Sequence, residues 1–440
     1  MEILKKYPKY KPSGIEWIGE IPEGWEVKKM KYMVDTSKYY QIGDGDHGSI
    51  KPDMYSVDGE IPYIRVQNLS WSGELVWEGM VYISSDVHNA NLKSKIIPND
   101  ILIAKTGATI GKLAIIPASV REANTTSSVG KITVDSKRYN AKFILYSMKG
   151  QYFKDQIWVE ASQKSAQPGF NVDDLIFFNI VSPLNIAEQT AIANYLDDKT
   201  AKIDSLIEKK KKLIELYKEE RTAVINEAVT KGINPNVKLK DSGIEWLGQI
   251  PEHWKVKKLK YVAKLRDELI DDSDFKIAVE NIESCTGKLV GIEEDKNYQG
   301  KLSAFRNGDT IFNKLRPYLH KVYYAEQDGG LFGELLIIYS LGELLPKFLF
   351  YKLFSKIFID IVDGSTQGTK MPRANWNDFI SLLAISFPKD KDEQHQIVQH
   401  IEAETKRIDS TISKIEKEIE LLAEYRTALI SEVVTGKIRP

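Results

Sequence analysis

The sequence predicts a mixed α/β (α+β) chain in which one unit, an α/β domain followed by a long helix, occurs twice. Three observations carry that prediction. A short block recurs almost letter for letter, a helical block recurs further on, and that helical block bears an apolar stripe of alternating four- and three-residue spacing. The 440 residues are 28% charged and 42% hydrophobic, which fits a soluble globular protein with length for two to four domains of roughly 100–200 residues.

The short block, Lys11–Met33 (KPSGIEWIGEIPEGWEVKKMKYM), aligns without a gap on Lys240–Val262 (KDSGIEWLGQIPEHWKVKKLKYV), with 16 of 23 positions identical at an offset of 229. Glu188–Ile233 aligns on Glu393–Ile438 at an offset of 205, sharing Glu-Gln, the triplets Ile203-Asp204-Ser205 and Ile408-Asp409-Ser410, and Arg-Thr-Ala at Arg221 and Arg426. Between the blocks the two stretches differ in letters and keep a plan. Asn99–Lys105 and Lys112–Ile116 answer to Gly308–Lys314 and Lys321–Tyr324 at an offset of 209, and Lys142–Tyr146 answers to Lys347–Tyr351 at 205. The first variable stretch is therefore longer by 24 residues (229 less 205), mostly between Met33 and Asn99. Strands are expected at Ile61–Val66, Ile101–Ala104, Thr310–Phe312 and Leu335–Tyr339, and helices near 141–158 and 346–362.

The long helices carry the stripe Ile401, Thr405, Ile408, Ile412, Ile415, Ile419, Leu422, Arg426, Leu429 and Val433, matched by Leu196, Thr200, Ile203, Ile207, Lys210, Ile214, Tyr217, Arg221, Val224 and Ala228. Such a seam has to be buried against a partner helix, and the other copy is the nearest one, giving an intramolecular coiled coil of about 50 Å over roughly 33 residues. The alternative is that each helix packs only on its own domain. Arg221 and Arg426 recur within the seam and are expected to set its register at some cost in stability. Lys231-Gly232-Ile233-Asn234-Pro235 leads from the first helix toward Ser242–Trp246, and Gly436-Lys437-Ile438-Arg439-Pro440 follows the second. Ser13–Trp17 is thus expected to serve the second helix as Ser242–Trp246 serves the first, a near-circular plan with pseudo-two-fold symmetry.

Composition excludes several classes. The single cysteine, Cys285, rules out an intrachain disulfide and a cysteine-rich metal site. No apolar run reaches the roughly 20 residues of a membrane span, and MEILKKYPKYKPSG lacks the apolar centre of a signal peptide, so a cytosolic chain is expected. With 61 Lys and Arg against 62 Asp and Glu, attraction to a polyanion must come from how the cations are arranged.

The stretch SGIEWIGEIPEGW at Ser13–Trp25, the Glu-Gln pairs ahead of helices with Ile-Asp-Ser, and RTALISEVVTGKI at Arg426–Ile438 resemble the specificity subunits of type I restriction-modification systems, over essentially the whole chain. The resemblance implies two target recognition domains, 1–185 (with the block 11–33) and 236–390 (with 240–262), each reading half of a bipartite DNA sequence. It implies helical conserved regions at 186–235 and 391–440 forming an antiparallel coiled coil that sets the half-site spacing and docks two methyltransferase subunits. It also implies no catalysis and no cofactor in this chain, with S-adenosylmethionine held by the methyltransferase and ATP and magnesium by a restriction/translocase subunit where one is present. The expected location is the prokaryotic cytoplasm.

Catalytic motifs fail on inspection. Gly43–Gly48 fits G-x-G-x-x-G but lies among turn formers, and Gly107–Leu113 is one residue short of a P-loop, with leucine where a hydroxyl would hold magnesium. Asp100 with Lys105 and Asp309 with Lys314 lack the second carboxylate of a nuclease metal site. His395 and His400 have no supporting ligands, so no metal site is expected.

Base reading needs bidentate donors, and phosphates need cations, hydroxyls or amides. The candidates are His47, Arg65, Gln67, Asn68, Lys105, Thr106, Arg121, Asn124, Gln163 and Lys164 in the first domain, and Asn281, Asn313, Lys314, Arg316, Gln367, Lys370 and Arg373 in the second. For each the competing reading is a solvated side chain. The loops EASQKSAQPG and DGSTQGTKMP correspond in place and differ in letters, which suits base reading. Two other functions compete: a structural coiled-coil adaptor without a DNA role, and a stand-alone DNA-modifying enzyme.

Overall fold

The computed structural model describes residues 5–38, 41–162, 168–292, 300–366 and 372–440. The chain divides into two compact units: unit 1 holds 1–209 and 418–440, and unit 2 holds 210–417.

Unit 1 runs through β1 (Tyr10–Pro12), β2 (Glu20–Pro22), β3 (Trp25–Lys29), β4 (Ile42–Asp44), β5 (Ile61–Ile64), β6 (Val81–Ile83), helix α1 (Ser85–Ala90), β7 (Lys95–Ile96), β8 (Ile101–Ala104), β9 (Leu113–Ile115), β10 (Ala123–Thr125) and β11 (Val129–Ile132). Helices α2 (Ala141–Lys149), α3 (Gln151–Ser162) and α4 (Val172–Leu175) follow, then β12 (Asn179–Pro183) and the first part of α5 (Ile186–Lys231). One sheet has the order β4-β11-β8-β9 and the other β6-β5-β10-β7, in which β5 and β10 are parallel. Strand β8 shows why its run of apolar letters is continuous. Ile101 and Ile103 face the core shared with α2 and α3, while Leu102 and Ala104 face the second sheet, so both faces are buried.

The helical stretch expected near 141–158 is two helices. Asn140 caps α2 by accepting from the Phe143 amide at 3.0 Å, and the run breaks at Gly150 (ψ 149°). A Cβ at Gly150 would lie 3.0 Å from a Val434 methyl, so the break lets the backbone approach the C-terminal helix.

Unit 2 contains the end of α5, then β13 (Leu239–Asp241), β14 (Gln249–Pro251), β15 (Lys255–Lys258), β16 (Ala263–Leu265), β17 (Leu269–Ile270), β18 (Lys276–Ala278), β19 (Leu302–Phe305), β20 (Thr310–Asn313), β21 (Val322–Tyr324), β22 (Gly329–Phe332) and β23 (Leu335–Ser340). Helices α6 (Pro346–Phe354) and α7 (Lys356–Gly364), β24 (Ala384–Phe387) and the start of α8 (Lys391–Val434) complete it. Its sheets, β16-β23-β20-β21 and β17-β19-β22-β18, repeat the plan of unit 1, including one parallel pair, β18 with β22. The extra residues of the first copy include β6 and α1. The stretch expected as one helix near 346–362 again breaks, at Ser355, whose hydroxyl caps α7.

In each unit a stretch of α5 pairs with a stretch of α8 in antiparallel fashion. Leu196, Ile203, Leu429 and Val433 share the core of unit 1, with Ile207 and Leu422 half-buried against it. In unit 2, Ile225 and Val229 share a core with Ile397 and Ile401, Ile214, Ile408 and Ile415 are buried, and Tyr217, Val224 and Ile412 are half-buried. Ile419, in unit 1, is half-buried as well. Also within unit 1, Lys5 bridges Arg439 and the Tyr10 hydroxyl donates to the Gly436 carbonyl at 3.0 Å. No helix among the described residues is long and apolar enough to cross a membrane.

Candidate nucleic-acid interface

The letters that recur between the copies are joints. Glu188 accepts from the Trp25 indole N–H at 3.1 Å, and Glu393 accepts from that of Trp254 at 2.9 Å. The next residue, Gln189 or Gln394, is fully buried. The Gln189 amide donates to the carbonyls of Pro183 (2.9 Å) and Arg138 (3.3 Å) and accepts from the Asn140 amide at 2.8 Å. Gln394 does the same with Pro388, Glu343 and Leu345. Each glutamine thereby pins the start of a long helix to the domain before it, with its polar atoms satisfied where water does not reach.

The recurring arginines and aspartates are partners. The Arg426 guanidinium donates to Asp204 at 3.1 Å in unit 1, and Arg221 donates to Asp409 at 3.2 Å in unit 2. The two pairs are equivalent at the offset of 205, as two copies of one antiparallel pairing require. The repeat held this signal, since the aspartate and the arginine recur at one offset. Two lysines escaped sequence reasoning. Lys352 is fully buried, donates to the Val229 carbonyl at 2.6 Å and to the Ser386 hydroxyl at 3.1 Å, and is pushed down to about 7 by burial. Lys149 donates to the Ser72 carbonyl at 2.5 Å, and burial first, then Arg426, push it down to about 8.

The candidate reading end is built at the exit of β8 and of β20. Here the returning chain pairs with the strand end: the Gly107 amide donates to the Pro168 carbonyl (3.0 Å) and the Phe170 amide to that of Lys105 (3.1 Å). In unit 2 the Arg316 amide donates to the Pro372 carbonyl (2.8 Å) and the Ala374 amide to that of Lys314 (2.9 Å). The two loops share their backbone. Gly107 (φ 71°) and Gly111 (φ 85°) stand where unit 2 has Arg316 (φ 51°) and His320 (φ 51°). An L side chain in that left-handed region costs of order 1–2 kcal/mol, so unit 2 holds an exposed arginine on a backbone that suits glycine.

Several candidates prove to be internal, which corrects their reading as base contacts. Asn68 is fully buried, accepting from the Arg65 amide and donating to the Val76 carbonyl (both 3.0 Å). Asn281 repeats this turn with Ala278, Val290 and Gly291. Asn124 is buried against His88 (2.5 Å), Ser94 (2.6 Å) and the Asn91 carbonyl (3.0 Å). Asn313 is buried and accepts from the Leu315 amide at 3.1 Å. Lys105 is buried and ion-paired with Asp44 at 2.7 Å. For Asn68, Asn281, Asn124 and Lys105 the polar groups are engaged locally, leaving no edge for a base. The signal was available for Asn68 and Asn281, which each follow a strand by four or three residues and precede an apolar letter.

The rest lie at the surface. His47 is exposed and 3.0 Å from Asp44, Gln67, Thr106 and Arg121 are exposed, and half-buried Arg65 donates to the Gly79 carbonyl at 2.7 Å. Arg373 pairs with Glu334 at 2.9 Å, with Lys314 4.0 Å from the same residue. Gln163, Lys164, Gln367 and Lys370 lie outside the described residues. The Gly43–Gly48 stretch is the end of β4 and a loop closed by Asp46, which accepts from the amides of Gly48, Ser49 and Ile50. Gly45 is required there, because a Cβ would fall 2.0 Å from the Thr125 carbonyl oxygen. Among the described residues no group of three His, Cys, Asp or Glu could hold a metal ion.

Residues 22–216 match the family described as the type I restriction modification DNA specificity domain. The type I restriction enzyme EcoDI specificity subunit of Escherichia coli is 27% identical over 283 residues, 59% of this chain and 62% of that protein. Both matches are to specificity subunits of type I restriction-modification systems, which this chain resembles. The fold agrees with solved structures. A chain from a study of complex assembly and conformational transition of the type I R-M system superposes with a TM-score of 0.69 at 12% identity, covering 94% of this chain and 98% of that one. The HsdS subunit from Thermoanaerobacter tengcongensis gives 0.57 at 12% identity, covering 95% and 98%. The E. coli match spans less than two thirds of that specificity subunit.

Proposed function

We propose that this chain is a type I specificity subunit, a non-catalytic reader of a bipartite duplex DNA sequence. Residues 1–185 and 236–390 each recognise one half-site. The helical regions 186–235 and 391–440 set the spacing and dock two methyltransferase subunits, which hold S-adenosylmethionine, and a restriction/translocase subunit with ATP and magnesium joins where present, all in the prokaryotic cytoplasm. The observation that supports this reading best is the shared loop backbone with different letters: Gly107 stands where unit 2 has the exposed Arg316. A constant scaffold with exchanged loop residues suits two unlike half-sites. The surface candidates His47, Arg65, Gln67, Thr106, Arg121, Lys314, Arg316 and Arg373 are the proposed contacts, together with the loops holding Gln163, Lys164, Gln367 and Lys370.

The test is to map methylated bases by long-read sequencing in cells carrying the methyltransferase with and without this chain. A bipartite methylated motif is expected only with it. Inserting one heptad into each long helix is expected to lengthen the spacer and leave the half-sites unchanged. Altered half-sites with an unchanged spacer would sink the ruler assignment.

A further inference from the structure

The block that recurs most faithfully leaves one group of side chains without a role in the joints above. Each copy carries Lys-Lys-apolar-Lys-Tyr, at Lys28–Tyr32 and at Lys257–Tyr261. The apolar member, Met30 or Leu259, is fully buried, and its amide donates to the Phe178 carbonyl (2.9 Å) or the Leu383 carbonyl (2.8 Å). This anchor turns its neighbours outward. The first lysine of each block is neutralised, Lys28 by Glu26 and Lys257 by Glu343, both at 2.5 Å. The next two, Lys29 and Lys31 or Lys258 and Lys260, have no ion pair among the described residues.

Exposed rings hold three of those lysines in place. Lys29 lies 4.9 Å from the Phe177 ring, Lys31 lies 4.8 Å from Phe177 and 5.0 Å from Tyr32, and Lys260 lies 5.3 Å from Tyr261. Leu382 replaces Phe177 in unit 2 and is likewise exposed. A ring beside a lysine stem limits its wandering while the ammonium keeps its donors for a ligand. In a chain of net charge −1, a pair of uncompensated ammonium groups in the same place in both halves is a local polyanion site. In unit 1 a short stretch of chain links it to the reading end: Phe177 follows α4, and α4 follows Phe170, whose amide is bonded to the Lys105 carbonyl.

We propose that Lys29 with Lys31, and Lys258 with Lys260, grip the DNA phosphate backbone beside each half-site, without regard to sequence. The proposal rests on the DNA-reading function above. Phosphates are what two different half-sites have in common, so a contact to them keeps its letters while the adjoining loops change.

The test uses the full chain assembled with its methyltransferase, carrying Lys29→Gln with Lys31→Gln, Lys258→Gln with Lys260→Gln, or all four. Affinity is measured across a salt series for a duplex bearing the mapped target and for one of scrambled sequence. Both affinities are expected to fall by the same factor, and the slope of log K on log salt to become shallower by about 0.9 for each phosphate no longer neutralised, with the methylated sequence unchanged. Wild-type affinity and slope in the variants, or a weakening confined to the target duplex, would overturn the proposal. Loss of the methyltransferase from the purified variants would overturn it too, assigning the patch to a protein partner. A wild-type complex that binds neither duplex would remove the DNA reading itself, a result separate from any behaviour of the variants.

Discussion

The same strand opens on an aspartate in both units, and the two units satisfy it differently. In unit 1 Asp100 is buried beside Lys131 (3.9 Å) and the Thr133 hydroxyl (2.6 Å), and burial pushes its carboxyl up to about 6. In unit 2 Asp309 takes a two-point grip from Arg266 at 2.6 and 2.9 Å. The backbone role is shared: Ile116 donates to the Asp100 carbonyl and Ala325 to that of Asp309. The lesson is that main-chain pairing is retained between the copies while the polar solution around it drifts. The glutamine and tryptophan joints at the long helices, by contrast, are retained atom for atom. What links domain to helix is under tighter geometric constraint than what closes a sheet.

The largest expected effect tests whether the seams of the two units are equivalent. Ile408→Asp places a carboxylate where no solvent reaches, and Ile203→Asp places one at a position 8% exposed. Each is expected to cost several kcal/mol, with the greater fall in Tm for Ile408→Asp by scanning calorimetry. Equal falls would mean that the seam relaxes alike in both. Next, Gln189→Ala and Gln394→Ala each orphan buried backbone groups, at about 1–3 kcal/mol apiece. Chemical denaturation is expected to give the same loss for both, and a twofold difference would break the equivalence of the joints.

Titration separates the units further. Asp100 has a folded pKa of about 6 against an ordinary 3.8, so the native state holds this proton more tightly than the unfolded chain does. Its stabilising contribution is present below about 4 and is lost as pH rises through 6. Lys352 has a folded pKa of about 7 against 10.5, so the unfolded chain binds the extra proton and stability rises with pH across that window. Urea midpoints measured across pH are expected to lose the acid-side slope in Asp100→Asn and the alkaline-side slope in Lys352→Met. Unchanged slopes would show that neither group titrates as its surroundings dictate.

The smallest effects concern exposed or half-exposed groups. Arg316→Gly relieves a left-handed arginine and is expected to raise stability by up to about 1 kcal/mol, while weakening discrimination at one base of its half-site, read from the methylation map. Asp204→Asn is expected to cost about 0.2–1 kcal/mol. Asp409→Asn is expected to cost more within that range, because Asp409 also holds Lys288 at 2.9 Å.

Much of the architecture was legible beforehand. The duplicated blocks, the strands expected at Ile101–Ala104 and Thr310–Phe312, and the seam positions follow from spacing alone, because a helix or strand writes its buried face into the period of its apolar letters. The candidate site was legible only in outline. Asn124 and Lys105 have the letters of DNA contacts, yet their burial depends on residues tens of positions away, His88 beside Asn124 and Asp44 beside Lys105. Gly107 and Arg316 show the reverse, one backbone under unlike letters, visible only once dihedral angles are compared.

The sequence by itself therefore determined the repeat, the element types and which faces are apolar, since these depend on neighbours within a few residues. Tertiary structure decided which arginine meets which aspartate, that one strand pair in each double sheet runs parallel, that each helical stretch breaks at Gly150 or Ser355, and which polar side chains face inward. Those outcomes depend on contacts between segments far apart in the chain, where local periodicity carries no record of the partner.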